Sequence, residues 1–207
     1  MTEKEHKGNT RGTKLDVDIL TEDEFERLVA ACDRRTVAGV RNRAVLYMLC
    51  RGMCRISETL TMQVKDLDLP GGKAIVQKGK GGKRRTIGLA PIVVEKLEDW
   101  LEIRKGLLSD VKGDPGWVFC RTSSRAYGNQ LDSSYFRKLL PRLAKKAGIN
   151  KRVHPHGLRH SGATRMLKSK EHDLGVISKS LGHSSISTTH RYVDHILPED
   201  VIDAMQK

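Results

Sequence analysis

The segment His156-Gly157-Leu158-Arg159-His160, followed by SLGHSSISTTHRY over residues 180–192, decides how this chain is read. Helix start and stop signals place one helix over residues 156–168 and another over 173–181, stopped by Gly182. A further helix over 187–194 and a short tail helix after Pro198 follow. His156, Arg159, His183 and Tyr192 thus fall at helix starts and in loops, where side chains can face a ligand. A phenol beside imidazoles and a guanidinium makes a poor metal site. It suits phosphoryl transfer, because each group can bind or move charge at a phosphodiester.

Working upstream, Asp132 caps a helix to Lys146 that buries Phe136, Leu139, Leu140 and Leu143. Its outer face carries Arg137, Lys138, Arg142, Lys145 and Lys146, either as a solvated surface or as a phosphate-binding one. Pro91 suits a helix start, and Val93, Leu97, Trp100 and Leu101 mark an amphipathic helix to about Gly106. Residues 64–69, 74–77 and 85–89 read as three strands, joined by Pro70-Gly71-Gly72 and by a basic tip at Gly79-Lys80-Gly81-Gly82. Residues 118–120 read as a short extra strand.

The run AVLYMLC, residues 44–50, is apolar nearly all round and predicts a central buried helix ending near Gly52. A short helix over 56–62 follows Arg55, and Thr21 with Glu24 forms a capping box that opens a helix to about Asp33. Residues 1–19 read as a flexible basic arm or linker. The expected fold is α+β: one mostly helical domain over residues 20–207 with a small three-stranded antiparallel sheet.

Lys and Arg total 38 against 25 Asp and Glu, a formal charge of +13, so polyanions are the expected partners. Aromatic residues are only 4% of the chain, which argues for duplex backbone over a single strand stacked on aromatic platforms. No apolar run approaches the roughly 20 residues that span a bilayer, and the N-terminus lacks a signal-peptide core. A soluble, cytoplasmic, nucleoid-associated protein is expected. Cys32, Cys50, Cys54 and Cys120 form no CxxC pair and read as reduced, structural thiols.

Covalent cleavage of DNA requires a nucleophile, cations for the non-bridging oxygens and an acid for the leaving 5′ oxygen. Tyr47 lies in the apolar run and Tyr135 in a hydrophobic stripe, so both read as core, while Tyr127 sits in a polar loop. Tyr192 remains, near His183 and the HGLRH segment. Arg159 lies one helical turn after His156, so both can project towards one phosphate. Arg55 offers a second fork, since two guanidiniums match phosphate geometry better than one. Glu58, one turn after Arg55, can orient Arg55 or His156; the alternative is an ordinary surface carboxylate.

Arg55 in CRISETL, the hairpin lysine in GKGGKRRTIGL, HGLRH and SLGHSSISTTHRY, taken in that order, closely resemble the catalytic domain of the tyrosine recombinase (phage-integrase) family, especially its Xer-like branch. The resemblance covers roughly residues 20–200 and implies the roles. Arg55 and Arg159 clamp the scissile phosphate, His156 helps manage the tyrosine proton, His183 bonds a phosphate oxygen and Tyr192 attacks. Lys80 is the implied general acid, with Lys78 and Lys83 as nearby rivals, and Glu58 matches an acidic position that supports the arginines. The implied reaction is site-specific recombination or integration of double-stranded DNA through a 3′ phosphotyrosine, without ATP, cofactor or metal.

Lys78, Lys83, Arg84, Arg137 and Lys138 are the candidate DNA contacts, and a homotetramer on two DNA sites, monomeric off DNA, is the implied assembly. Most relatives carry a helical DNA-binding domain before the catalytic one, whereas some 20 polar residues precede the first helix here. A fragment of a longer chain or a minimal natural recombinase would account for that, and weak site specificity is expected of the chain alone. The tail after Ile196 offers an apolar surface for docking in cis or in trans. Rival readings are a noncatalytic DNA-binding module and a type IB topoisomerase-like activity. A third is a metal-dependent nuclease built on Asp66 and Asp68, or on His154, His156 and His160; there, a solvated strand face is the alternative for the two aspartates.

Overall fold

The computed structural model describes residues 18–77, 79, 84–111, 113–123, 126–169 and 173–182. Helix α1 (Glu22–Ala30) opens on the expected capping box. Thr21 Oγ1 accepts the Glu24 N–H at 3.2 Å, and the Glu24 carboxylate accepts the Thr21 N–H at 2.8 Å. Phe25, Leu28 and Val29 are buried, and Phe25 meets the Tyr47 ring edge-on with centroids 5.3 Å apart. Helix α2 (Val37–Cys50) is capped by Thr36 and is buried on nearly every side from Ala44 to Cys50, as its apolar run predicts.

That burial has a geometric cost at one point. A Cβ on Gly162 would stand 1.7 Å from the Cys50 carbonyl oxygen, so α6 (Pro155–Lys168) can cross the end of α2 only because residue 162 has no side chain. On the other side, α4 (Pro91–Leu107) packs Val93, Leu97 and Trp100 into the core, and Trp100 Nε1 donates to the Val118 carbonyl at 2.7 Å. The interior is close-packed around α2, with α4 and α6 as its main neighbours.

Three short strands, β1 (Leu67–Asp68), β2 (Lys73–Val76) and β3 (Arg85–Gly88), form the antiparallel sheet in sequence order. Ala74 pairs with Ile87 and Val76 with Arg85, so Ala74, Val76 and Ile87 share the buried face and Arg85 lies on that face too. The expected strand over 64–69 is mostly absent. Asp66 Oδ2 accepts the Gln63 N–H at 2.9 Å, which winds Val64–Asp66 into a single 3-10 turn and leaves only residues 67 and 68 in the sheet. Asp66 is therefore buried, with its other oxygen accepting from Gln77 Nε2 at 2.7 Å, and not part of a solvated strand face.

Residues 118–120 are likewise no strand. Val118, Phe119 and Cys120 are consecutively buried, and only isolated bridges flank them, Gln63 with Trp117 and Cys120 with Gln130. Helix α3 (Ile56–Leu60) ends two residues before the predicted Met62, and α1 three before Asp33. Helix α5 (Ser133–Lys146) has its Asp132 cap, with Phe136, Leu140 and Leu143 buried but Leu139 only half-buried. Helix α7 (Leu174–Leu181) is capped by Asp173 and stopped by Gly182 in the left-handed region at φ 62°. The mostly helical α+β architecture is as expected.

All four cysteines are buried and free, and burial pushes the thiols of Cys50 and Cys54 up to about 12 and that of Cys32 to about 11. They act as small apolar groups. No helix among the described residues is long and apolar enough to cross a membrane. The expected arm, the helix over 187–194 and the tail lie outside the described residues, apart from the last residues of the arm.

Candidate active site

Arg55 is the N-cap of α3, and its placement follows from Glu58 three residues on. Glu58 Oε2 accepts the Arg55 backbone N–H at 2.9 Å, and Oε1 accepts from Arg55 Nη1 at 2.8 Å. One carboxylate thus starts the helix and fixes the guanidinium that begins it. Glu58 is no surface carboxylate: its side chain is 2% exposed, whereas that of Arg55 is 29% exposed. Burial pushes the Glu58 carboxyl up, but hydrogen bonds from Arg85 and from both the backbone and side chain of Arg55 outweigh burial and hold it at about 2.

Arg159 comes from the first half of α6 and turns inward, its side chain 3% exposed. Nη1 donates to the Met53 carbonyl and Nη2 to the Leu181 carbonyl, both at 2.5 Å, and Nη1 lies 3.9 Å from Glu58 Oε2. This fork ties the loop that leads into Arg55 to the end of α7, one residue before the Gly182 turn. Met53 takes a left-handed backbone, φ 49°, which is strained for a residue with a side chain. The strain sits next to the arginine cluster. Arg159, a hundred residues on in sequence, is therefore brought beside Arg55 and Glu58.

His156 is exposed one turn before Arg159 and faces the buried His160, with 2.9 Å between their Nε2 atoms. One of the two nitrogens donates and the other accepts, so the two rings hold complementary tautomers. His154 does a different job: its Nδ1 accepts the Gly157 N–H at 3.2 Å and caps α6. Burial and the nearby Arg152 lower its pKa, which favours the neutral ring that a cap acceptor requires. The aspartates weighed as a metal pair are engaged separately, Asp66 as described and Asp68 by the Gly71 N–H at 3.0 Å and Lys73 at 3.1 Å.

Sequence reasoning missed Arg85. Its Nη1 and Nη2 donate to the two oxygens of Glu58 at 2.8 and 2.9 Å, a parallel fork on the carboxylate. The signal was present in the strand parity, since Arg85 alternates with Ile87 and Leu89, both buried. An arginine at an inward strand position requires buried acceptors for its guanidinium. Arg84, by contrast, is exposed, as are Arg137 and Lys138 on α5, while Lys146 is partly committed, donating to the Ala31 carbonyl at 2.9 Å.

Lys78, Lys80, Lys83, His183 and Tyr192 lie outside the described residues. The other three tyrosines have structural settings. Tyr47 is buried and donates to the Glu26 carboxylate at 3.1 Å, and burial, with Glu26 beside it, pushes its phenol up to about 12. Tyr135 accepts from Asn42 Nδ2 at 2.9 Å with Arg41 over its ring, and Tyr127 packs half-buried against the core.

Residues 18–197 match the phage integrase family. The chain belongs to that family. Among phage integrase relatives, the tyrosine recombinase XerD of Listeria innocua serovar 6a is 36% identical over 174 residues, covering 84% of this chain and 57% of the relative. The chain thus spans little more than half the length of that relative. The solved XerA recombinase superposes with a TM-score of 0.76 at 31% identity, covering 91% of this chain and 64% of XerA. The XerH site-specific recombinase, solved in a post-cleavage complex with its palindromic difH substrate, gives a TM-score of 0.71 at 29% identity, covering 91% and 52%. In a phage integrase fold, the Glu58-centred arginine cluster stands where α3, β3 and α6 converge.

Proposed function

We propose that this chain is the catalytic part of a site-specific DNA recombinase that cleaves and rejoins duplex strands through a 3′ phosphotyrosine. The observation that carries the reading is the buried Glu58 carboxylate holding Arg55, with Arg159 beside it. Such a pair of guanidiniums, locked before substrate arrives, binds phosphate oxygens with little reorganisation and stabilises the extra charge of a pentacoordinate transition state. The relatives are named tyrosine recombinases, and XerH is a recombinase solved on its DNA substrate.

In this reading the Tyr192 hydroxyl attacks the phosphorus, forming the O–P bond as the bond to the 5′ oxygen breaks. His156, hydrogen-bonded to His160, takes up the phenol proton; Lys80 delivers one to the departing 5′ oxygen, with Lys78 and Lys83 as the nearest alternatives. His183 bonds a non-bridging oxygen. The settings of Tyr47, Tyr127 and Tyr135 support Tyr192 as nucleophile, because each of the three is built into the fold. The ester keeps the energy of the broken bond, so a free 5′ hydroxyl rejoins without ATP, and no step calls for a metal.

Duplex DNA is the proposed partner, with Arg84, Arg137 and Lys138 among its phosphate contacts and a homotetramer on two sites as the working assembly. The test is a duplex nicked just downstream of the cleavage point, which loses the short fragment that carries the freed 5′ hydroxyl and traps the enzyme on DNA. A denaturant-resistant adduct is expected with the parent chain and none with Tyr192→Phe. An adduct that forms only with magnesium and vanishes with chelator would contradict the reading.

A further inference from the structure

His160 has no part in the reaction as read so far beyond its contact with His156. The two residues lie four apart on α6, so their side chains share a face. Their settings differ: His156 is exposed in the first turn, whereas His160 is 8% exposed. The helix around His160 is fixed on each side. Arg159 reaches the Met53 and Leu181 carbonyls, Ser161 Oγ accepts the Leu20 N–H at 2.9 Å and donates to the Gly157 carbonyl at 3.0 Å, and Gly162 lies against the Cys50 carbonyl. A ring on that stretch is a rigid support for a more exposed neighbour. His156 meets it edge-on, with centroids 4.3 Å apart and planes at 76°, while the His154 ring lies nearly parallel to His156 at 6.3 Å. The contact engages Nε2 of His156, 2.9 Å from Nε2 of His160, and so assigns any reaction of His156 to Nδ1.

We propose that His160 is a positioning residue for the base: it accepts the Nε2–H of His156 and so presents the unprotonated Nδ1 of that ring to the Tyr192 phenol. Of the two tautomer pairs that the contact allows, only this one gives His156 a lone pair at Nδ1. The opposite pair, with His160 donating, puts the proton on Nδ1 of His156 and makes that ring a donor to phosphate that cannot take the phenol proton. During attack the phenol proton moves to Nδ1 as the O–P bond forms. The imidazolium keeps its Nε2–H on His160, and no proton passes to His160 itself. This is a base oriented by a third group, here a second imidazole in place of a carboxylate. Strand rejoining returns the proton from Nδ1 to the phenolate.

The proposal rests on the recombinase reading, and two readouts separate their fates. The first needs no DNA: heteronuclear NMR of the imidazole nitrogens in the parent chain, His160→Phe and His160→Gln, above neutral pH where an ordinary histidine is uncharged. His156 should carry its proton on Nε2 in the parent chain and in His160→Gln, whose amide oxygen accepts in the same way, and should lose that preference in His160→Phe. The second is the single-turnover rate of covalent attachment to nicked duplex at saturating DNA, for the same proteins, His156→Ala and the His156→Ala/His160→Phe double variant, each checked for native circular dichroism. His160→Phe should slow attachment on the order of 10²-fold, the lower end of what a positioned base contributes. His160→Gln should recover most of that loss. In the His156→Ala background, loss of His160 should cost little more, because the ring through which it acts is gone.

An adduct from the parent chain together with full activity in His160→Phe, additive losses in the double variant or a His156 protonated on Nδ1 would overturn the positioning role and leave the recombinase reading intact. No adduct from the parent chain, with the Nε2–H of His156 present and dependent on His160, would sink the recombinase reading and keep the orientation of the ring. A parent chain that forms no adduct and protonates His156 on Nδ1 overturns both. Should His160→Phe fail to fold, the tautomer of His156 in the parent chain decides.

Discussion

At the scale of single residues, Glu58 organises more of the site than its size suggests. Replacing it with alanine leaves Arg55, Arg85 and Arg159 facing one another with no anion, and breaking a buried pair in this way costs about 3–5 kcal/mol. Chemical denaturation of Glu58→Ala against the parent chain checks that figure. The same carboxyl sets a pH dependence. Its folded pKa, about 2, lies below the ordinary 4.5, so its contribution to stability is full above about pH 4.5 and is lost as pH falls towards 2. Glu58→Gln should flatten that part of the stability profile, measured by thermal melts from pH 2 to 6. Arg55, Glu58, His156 and Arg159 were legible as candidates from motif and spacing. Arg85 was not, because it is one of three consecutive basic residues, 83 to 85, with Lys80 nearby, and only its parity with the buried Ile87 and Leu89 along the strand marks it as the one that faces inward.

Among the elements, the crossing of α2 and α6 is the joint on which the site depends, since α6 carries His156 and Arg159 and the end of α2 leads into Met53 and Arg55. Gly162→Ala improves helix propensity by about 1 kcal/mol. It also drives a Cβ to 1.7 Å from the Cys50 carbonyl, so α6 must shift, and overpacking of this kind costs about 1–3 kcal/mol or more. Net destabilisation in urea, with slower covalent attachment, is expected. The helices were readable because caps and periodicity are local signals: Thr21, Asp132, Asp173 and Gly182 mark ends that the structure reproduces. The strands were less so. The alternation from Val64 to Leu69 imitates a strand, but the Asp66 side chain bonds back to Gln63 and winds a turn, a competition between side chain and ladder that periodicity does not record. The close approach at Gly162 is a tertiary fact with no local signature.

For the whole molecule, the excess of positive charge and the exposed Arg137 and Lys138 on α5 lead to a prediction about salt. If both residues touch backbone phosphate, Arg137→Ala/Lys138→Ala should lower the slope of log affinity against log salt by roughly 0.9 for each lost contact, weakening specific and random duplex alike. An unchanged slope would return that face to plain solvation. The central claim is the chemical link between Tyr192 and a 3′ phosphate. It is tested most directly by digesting the adduct trapped on nicked duplex and sequencing the DNA-linked peptide by mass spectrometry. The account predicts one modified peptide, carrying its 3′-phosphoryl nucleotide on Tyr192; a nucleotide on any other residue, or a link through a 5′ phosphate, would contradict it.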